Sequence, residues 1–185
     1  MKKIITLTLL FVATSAFTQE VIKKEKSHEI KINAFNTIIF KSIDLSYEYL
    51  ISDESSVGIS FLVNLNDENS DGPDYNETFA LTPYYRHFFS RKYAWGFFME
   101  AFGMYNTQES DNYDYYYEDI NYISSHSVHK TNNFALGISI GAKFVSDKGF
   151  AFEFFAGMGR NLFTDDSNNN YEIVPRLGVS FGYRF

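Results

Sequence analysis

The chain closes with Ile173-Val174-Pro175-Arg176-Leu177-Gly178-Val179-Ser180-Phe181-Gly182-Tyr183-Arg184-Phe185. From Ile173 to Phe185, an apolar residue or proline stands at every second position, and most positions between them are charged, small or hydroxyl-bearing. A period of two is the period of a β-strand whose two faces meet different surroundings. The stretch therefore predicts a strand with one strongly apolar face and one face that carries arginine and glycine.

The same alternation runs back through the chain as far as residue 29. It predicts eight strands, near 29–36, 42–52, 57–65, 78–89, 93–107, 133–145, 150–163 and 171–185. Most of them are longer than the five or six residues typical of soluble strands, and they approach the roughly 9–11 residues that a tilted strand needs to cross a bilayer. Tight turns alternate with long polar connections at 66–77, 108–132 and 164–170. This alternation is typical of outer-membrane barrels.

The two faces of the predicted strands differ in charge. The apolar face carries one charged residue, Arg160. The opposite face carries five basic and five acidic residues, which are Lys31, Arg86, Lys143, Arg176, Arg184, Asp44, Glu48, Glu100, Glu153 and Glu172. Eight strands leave interior room only for side chains or one small ligand, so the large aromatic face fits lipid better than a lumen. We therefore predict an all-β fold, an eight-stranded antiparallel up-and-down transmembrane β-barrel with its charges inside.

The inward charges balance at five and five. A buried charge needs a partner, because breaking a buried pair costs about 3–5 kcal/mol. We predict that these ten side chains form an ion-pair network that plugs the lumen. The alternative is a proton or ion path through the network, as in a narrow pore or a transport accessory, although open channels usually have about 16 or more strands.

The beginning of the chain predicts an export signal. A short basic start precedes an apolar stretch at 4–17 that ends in small residues, which is the pattern of a secretory signal peptide. The stretch is shorter than the roughly 20 apolar residues of a transmembrane helix, although an uncleaved anchor remains an alternative. Cleavage after Ala16 and after Thr18 both fit, and we favour Thr18. The predicted organisation is a signal peptide at 1–18, a periplasmic lead-in at 19–28 and the barrel at 29–185.

The overall composition excludes several classes of protein. The formal net charge of −7 argues against a nucleic-acid partner, which needs a basic face to neutralise phosphates. The absence of cysteine excludes a disulfide framework and a thiolate metal site. A hydrophobic content of 45% argues against disorder.

Two polar connections carry candidate binding chemistry. Asp67, Asn69 and Asp71 fit the start of a calcium loop, but Thr78 stands where its bidentate glutamate is expected. Calcium in the 66–77 loop is therefore weighed against a merely soluble acidic loop, and no other cofactor is expected. The longest connection alternates tyrosine with acidic residues over 109–119. This composition suits a surface glycan or protein ligand, and the alternative is a solvated hairpin.

The sequence gives little support for catalysis. His126 and His129 lie near serines in the longest connection, as a lipid-modifying enzyme of the outer leaflet would require, but no Ser–His pair on the lipid-facing side is evident. Two histidines without a third ligand are also a weak metal site. We therefore expect no enzymatic activity. A soluble periplasmic ligand carrier is the remaining alternative.

The last strand also carries a family resemblance. A terminal phenylalanine with apolar residues at every second position before it resembles the C-terminal signal of bacterial outer-membrane barrels. The residues that carry this resemblance are Leu177, Val179, Phe181, Tyr183 and Phe185. It implies recognition by the barrel assembly machinery and a location in the cell outer membrane.

Together with the export signal, the strand pattern resembles the small eight-stranded barrels of the OmpX and OmpA transmembrane type. That resemblance implies contact with outer-membrane lipid and lipopolysaccharide, with periplasmic turns and extracellular loops. A narrower resemblance, carried by Lys31-Ile32-Asn33 and Ser46-Tyr47-Glu48-Tyr49, is to a family of small barrels without assigned function.

Overall fold

The computed structural model describes residues 26–65, 77–90, 92–118, 121–165 and 172–185, and for 110–118 and 121–129 it describes the backbone alone. These residues form β1 (His28–Asn33), α1 (Ala34–Ile39), β2 (Ser42–Leu50), β3 (Ser55–Asn64), β4 (Glu77–Phe88), β5 (Gly96–Glu118), β6 (Asn121–Val145), β7 (Phe150–Thr164) and β8 (Ile173–Arg184). Each strand pairs antiparallel with the next, and β8 pairs with β1. The predicted closed, eight-stranded antiparallel barrel is confirmed. Within the described segments, no helix combines the length and the apolar character that a membrane crossing requires.

The alternation along each strand decides which side chains face the lumen. Arg86 and Glu100 are directly opposite each other on β4 and β5, and both are buried. Their neighbours along the strands, such as Tyr85 and Met99, point outward and are exposed. A barrel has only these two faces, so the period of two in the sequence becomes a polar interior and an apolar exterior.

The two ends of the barrel differ. We call the end with the turns 51–54, 92–95 and 146–149 the turn end, and the opposite end the loop end. At the turn end, His28 and Phe185 exchange two backbone hydrogen bonds, with N···O distances of 3.2 and 2.8 Å. The β4–β5 turn folds beneath the lumen, where Ala94 is fully buried. Ala94 packs in one apolar cluster with Leu50, Phe88, Phe98 and Phe155. The turn and this cluster close the turn end of the lumen.

The first connection at the loop end departs from the prediction. The strand expected at 29–36 ends at Asn33, and a six-residue helix follows. The Asn33 side chain caps this helix by accepting a hydrogen bond from the Asn36 N–H at 3.5 Å. The predicted alternation placed Asn36 on the outer face, which is wrong, because the helix turns its side chain inward to Asp44 at 2.8 Å.

The longest connection is largely strand. We predicted a polar connection at 108–132, but β5 and β6 stay paired as far as Glu118 and Asn121. The pairing of β5 with β4 stops at Gln108, and that of β6 with β7 stops at Asn133. A two-stranded hairpin therefore projects from the loop end. Its ten residues at 109–118 span about 34 Å at roughly 3.4 Å per residue.

Inward glycines make room for large side chains on neighbouring strands. We expect Gly137→Ala to lower the free energy of unfolding by about 1–3 kcal/mol, because overpacking displaces neighbours that cannot yield. An added Cβ would lie 2.3 Å from Cζ of Phe102 and 2.5 Å from the Met158 carbonyl oxygen. The measurement is urea unfolding of the purified barrel. The control is Gly103→Ala, where the nearest atom would be 3.5 Å away. Equal losses in both variants would contradict the packing argument.

Candidate functional site in the barrel lumen

A continuous set of buried ion pairs fills the turn-end half of the lumen. We call it the lumen network. Its members are Glu29, Lys31, Glu48, Arg86, Glu100, Lys143, Glu153, Arg176 and Arg184. They come from all strands except β3, so the barrel closure itself brings them together.

Arg86 is the hub of the lumen network. Its Nε donates to Glu100 at 2.7 Å, and its Nη1 donates to Glu48 at 2.9 Å and to Glu153 at 2.8 Å. The guanidinium also lies 4.5 Å from the ring centre of Tyr84 and 4.3 Å from that of Phe98. Three carboxylates and two aromatic rings therefore hold this cation in one place, as cation–π and charge-assisted contacts allow.

Two lysines complete the centre of the network. Lys31 donates to Glu48 and to Glu153, the latter at 2.8 Å. Lys143 donates to Glu29 at 2.8 Å and to Glu48 at 2.5 Å. Glu48 thus contacts three cations, and this density of opposite charge offsets the cost of removing them from water.

Two arginines connect the centre to the ends of the lumen. Arg176 donates from Nε to Glu100 at 2.8 Å, toward the loop end. Arg184 donates to Glu29 at 2.7 Å and, at the turn end, to the carbonyl oxygen of Ala94 at 2.9 Å. The network therefore extends from the loop-end side of the lumen to the β4–β5 turn at the turn end.

The structure brings together eight of the ten side chains predicted for the lumen. Asp44 is buried as well, but neutral groups hold it. Glu172 was assigned wrongly, because β8 begins only at Ile173, and its exposed side chain pairs with Arg160 at 3.3 Å on the outside. The prediction also missed Glu29, which is fully buried and lies on the same strand face as Lys31. When Glu29 replaces Glu172 and Asp44 is included, the lumen again contains five basic and five acidic side chains.

Above the lumen network, the lumen widens into a cavity of about 250 Å³ at the loop end. We call it the loop-end cavity. Asp44 lies in its wall and accepts hydrogen bonds from Asn33, Asn36 and Ser60, at 2.8, 2.8 and 2.7 Å. Arg176 lines the same cavity from β8. Glu77 of β4 also lines the cavity. The site therefore combines two acidic side chains, of which Asp44 is anchored, with an anchored cation around open space.

The outer face of the barrel is an apolar belt. Large side chains remain exposed there in every strand, such as Phe97 at 73%, Ile138 at 61% and Phe181 at 52%. A groove of about 600 Å³ in this face is lined almost wholly by apolar side chains, among them Ile140 and Phe154. Soluble monomeric proteins rarely expose a contiguous apolar patch above a few hundred Å².

The predicted assembly-signal residues lie on this belt or at its edge. Leu177, Phe181, Tyr183 and Phe185 are exposed, and Val179 is half-buried. The ring of Phe185 stacks on His28, with 5.8 Å between the ring centres. The last strand thus presents one continuous apolar row outward.

Several candidate residues lie outside the described part of the chain. Asp67, Asn69 and Asp71 of the predicted calcium loop fall in 66–76, and the side chains of His126 and His129 also fall outside it. The same holds for the side chains of the tyrosine-rich segment from residue 110 onward. Among the described residues, no group of three or more histidine or acidic side chains is arranged to hold a metal ion.

Comparison with known proteins gives one match. Residues 5–184 match the family described as "Protein of unknown function (DUF3575)". The match covers every strand of the barrel and all members of the lumen network. Searches of the curated proteins and of the solved structures gave no match.

Proposed function

The chain belongs to the DUF3575 family of unknown function, and from its geometry we propose that it is a small outer-membrane barrel with a closed, charge-plugged lumen. In this proposal the barrel holds an acidic, tyrosine-rich hairpin outside the cell for structural or surface-binding roles. The role is that of a scaffold and not of an enzyme.

One observation carries the proposal, which is the inside-out distribution of polarity. Side chains such as Phe97 and Ile138 are more than half exposed, whereas Arg86 and Glu100 are almost fully buried. In water, each Å² of apolar surface that stays exposed loses about 25 cal/mol of the stabilisation that burial would give. Surrounding lipid would remove that cost, and the wall of the barrel would separate the paired charges inside from the lipid.

In this proposal the closed lumen does not conduct ions. Because the lumen network and the β4–β5 turn fill the turn end, we expect no steady ion conduction. A measurable conductance of the purified protein in a planar bilayer would favour the narrow-pore alternative. The hairpin of β5 and β6 is then the feature that faces partners, and tyrosine with acidic residues suits a glycan or protein surface.

The remaining parts of the chain fit the same proposal. Residues 1–18 would direct export and be removed, and 19–28 would lead into the barrel on the periplasmic side. The turn end would then face the periplasm and the loop end the outside, as in small barrels of the OmpX and OmpA type. The barrel assembly machinery would insert the chain, and outer-membrane lipid and lipopolysaccharide would surround it.

Membrane fractionation combined with gel electrophoresis tests the proposal. The expected result is recovery in the outer-membrane fraction, with faster gel mobility before boiling than after it, because an intact barrel stays compact in detergent. Recovery as a soluble periplasmic protein would overturn the proposal and favour the ligand carrier. A periplasmic protein of known location serves as the fractionation control.

The end of β8 gives a second test. We expect Phe185→Ala to reduce the amount of folded protein in the outer membrane several-fold, because the terminal aromatic resembles the residue that the assembly machinery reads. The matched control is Phe163→Ala, which removes an exposed aromatic ring from the loop end of β7. Unchanged yield for Phe185→Ala would count against the assembly role. Equal refolding of both variants into lipid vesicles would separate assembly from stability.

A further inference from the structure

We propose that the loop-end cavity binds a small zwitterion with an apolar side chain, of the chemical class of a free α-amino acid. The inference goes beyond the proposed function, because it depends on the lumen and not on what surrounds the barrel. The cavity has the size, the charges of both signs and the apolar wall that such a molecule requires.

The cavity is partly open and is not filled by side chains. Below it lies the lumen network, reached through Arg176, and beside it lie Asn36 of α1 and Phe40. Its volume of about 250 Å³ falls just below the roughly 300–1,000 Å³ of pockets for drug-sized ligands. A smaller molecule, of the size of one amino acid, fits that volume better.

The negative group is held ready for a cation. The three hydrogen bonds to Asp44 come from Asn33, Asn36 and Ser60, which are all neutral. They fix the orientation of the carboxylate, and none of the three groups carries a positive charge. The Asn33 side chain also donates to the carbonyl oxygen of Leu177 on β8 at 3.1 Å. Asp44 is therefore positioned relative to the strand that carries the opposite charge.

The positive group is held ready for an anion. Among the described residues, the one hydrogen bond of Arg176 runs from Nε to Glu100 at 2.8 Å. A guanidinium carries five N–H donors in a planar fork that matches a carboxylate. Its terminal nitrogens thus retain donor capacity, while the Glu100 contact fixes the side chain. A ligand carboxylate would complete this fork.

Part of the remaining wall is suited to an apolar side chain, although Glu77 and Thr82 also line the cavity. Leu62, Ala80 and Met104 line the cavity and belong to one buried apolar cluster. An ammonium group at Asp44 and a carboxylate at Arg176 would leave the side chain of the ligand against this cluster. A purely anionic molecule would bring no cation to Asp44, and a purely cationic molecule would leave the terminal donors of Arg176 unused.

Methionine methyl groups report on this site directly. Met104 lines the loop-end cavity, whereas Met99 and Met158 lie on the outer belt. We would label the methionine methyl groups of the purified full-length mature chain with carbon-13 and titrate L-leucine. The expected result is a saturable shift of the Met104 signal with unchanged Met99 and Met158 signals. No saturable shift of Met104, or equal shifts of all three, would overturn the proposal.

Two analogues decide the chemical class. Leucine amide retains the ammonium group, and N-acetylleucine retains the carboxylate. Each should bind about tenfold or more weakly than leucine, as expected from the loss of a hydrogen bond between charged groups. Equal binding of leucine amide would instead indicate a cation site, and equal binding of N-acetylleucine an anion site. Either result would overturn the zwitterion proposal.

Two variants guard against loss of folding. Asp44→Asn keeps the size of the side chain and should weaken leucine binding at least about tenfold, as loss of a charged partner predicts. The control is Asp147→Asn in an exposed turn, which should leave binding unchanged. Ala80→Leu should block the cavity without touching an ion pair. The Met99 and Met158 signals show whether each variant is folded. Leucine binding that survives Ala80→Leu in a folded barrel would overturn the assigned site.

Discussion

Replacing Arg86 by methionine should lower the free energy of unfolding by about 3–5 kcal/mol, because the change removes one partner of a buried ion-pair network. Glu48, Glu100 and Glu153 all accept hydrogen bonds from this guanidinium. Methionine keeps a long, unbranched side chain between the rings that flank Arg86, so packing is largely preserved. The loss then reports mainly on the uncompensated carboxylates. Urea unfolding of the protein in lipid vesicles measures it.

The matched control for this variant is Arg160→Met. Arg160 pairs with Glu172 on the outside, where both side chains are about 70% exposed. Exposed pairs contribute up to about 1 kcal/mol, so the control should unfold nearly like the original chain. A loss of similar size in both variants would show that methionine harms the barrel for another reason.

A double-mutant cycle assigns the effect to a contact. Arg86→Met and Glu100→Gln should not be additive, because the two side chains share a hydrogen bond of 2.7 Å. The double variant should regain part of the stability lost in Arg86→Met, because Glu100→Gln removes one uncompensated carboxylate. It should not regain all of it, because Arg176 then loses its Glu100 partner. Strict additivity would mean that the two groups do not interact in the folded protein.

The second large effect is expected on the outer belt. Ile138→Arg should cost about 2–4 kcal/mol in a lipid bilayer, the range for a charge near the midplane of a barrel's lipid face. Ile138 lies near the middle of the part of β6 that pairs with β7, Asn133–Val145. It is opposite Ala101 on β5 and Met158 on β7, and its side chain is 61% exposed. In water the same change would be a surface substitution worth at most about 0.5 kcal/mol. The size of the loss therefore distinguishes lipid from water around the belt.

Two further positions make this test depth-dependent. Leu162→Arg lies on the same face near the loop end of β7, where the cost should fall to about 0–1 kcal/mol. Asp147→Arg lies in a turn and should be close to neutral. Equal, small effects at all three positions would contradict a surrounding bilayer.

The sequence was sufficient to predict the barrel and its two faces. The period of two is a local signal, and it assigns each side chain inward or outward without knowledge of its partners. That is why Arg86, Glu100 and Glu153 were expected inside. It is also why the charge balance of the lumen could be anticipated before any pairing was known.

The pairings themselves could not be predicted. Lys31 meets Glu153, and Lys143 meets Glu29, across more than a hundred residues of chain. Which acid meets which base depends on the stagger between strands, and the side-chain alternation does not encode that stagger. The position of Asp44 beside Asn36 depends on α1. Six residues are too few for a helical period to stand out.

Strand ends were the other source of error. Glu29 and Glu172 lie at opposite ends of the barrel sequence, one just inside a strand and one just before it. Their assignment depends on where hydrogen-bonded pairing stops, which is a tertiary property. For the longest connection, the hairpin was one of two alternatives, and the pairing of 109–118 with 121–130 agrees with it.

The closure of β1 on β8 has a kinetic consequence. Every other pair of adjacent strands is consecutive in the chain, so the entropic cost of closing the loop between them is small. The last pair joins His28 to Phe185 and contains five residue pairs in register. We therefore expect the pairing of β1 with β8 to form after the pairings of consecutive strands. The Asn33 side chain accepts a hydrogen bond from the Val179 N–H across that junction, so we expect this contact to form only when the barrel closes.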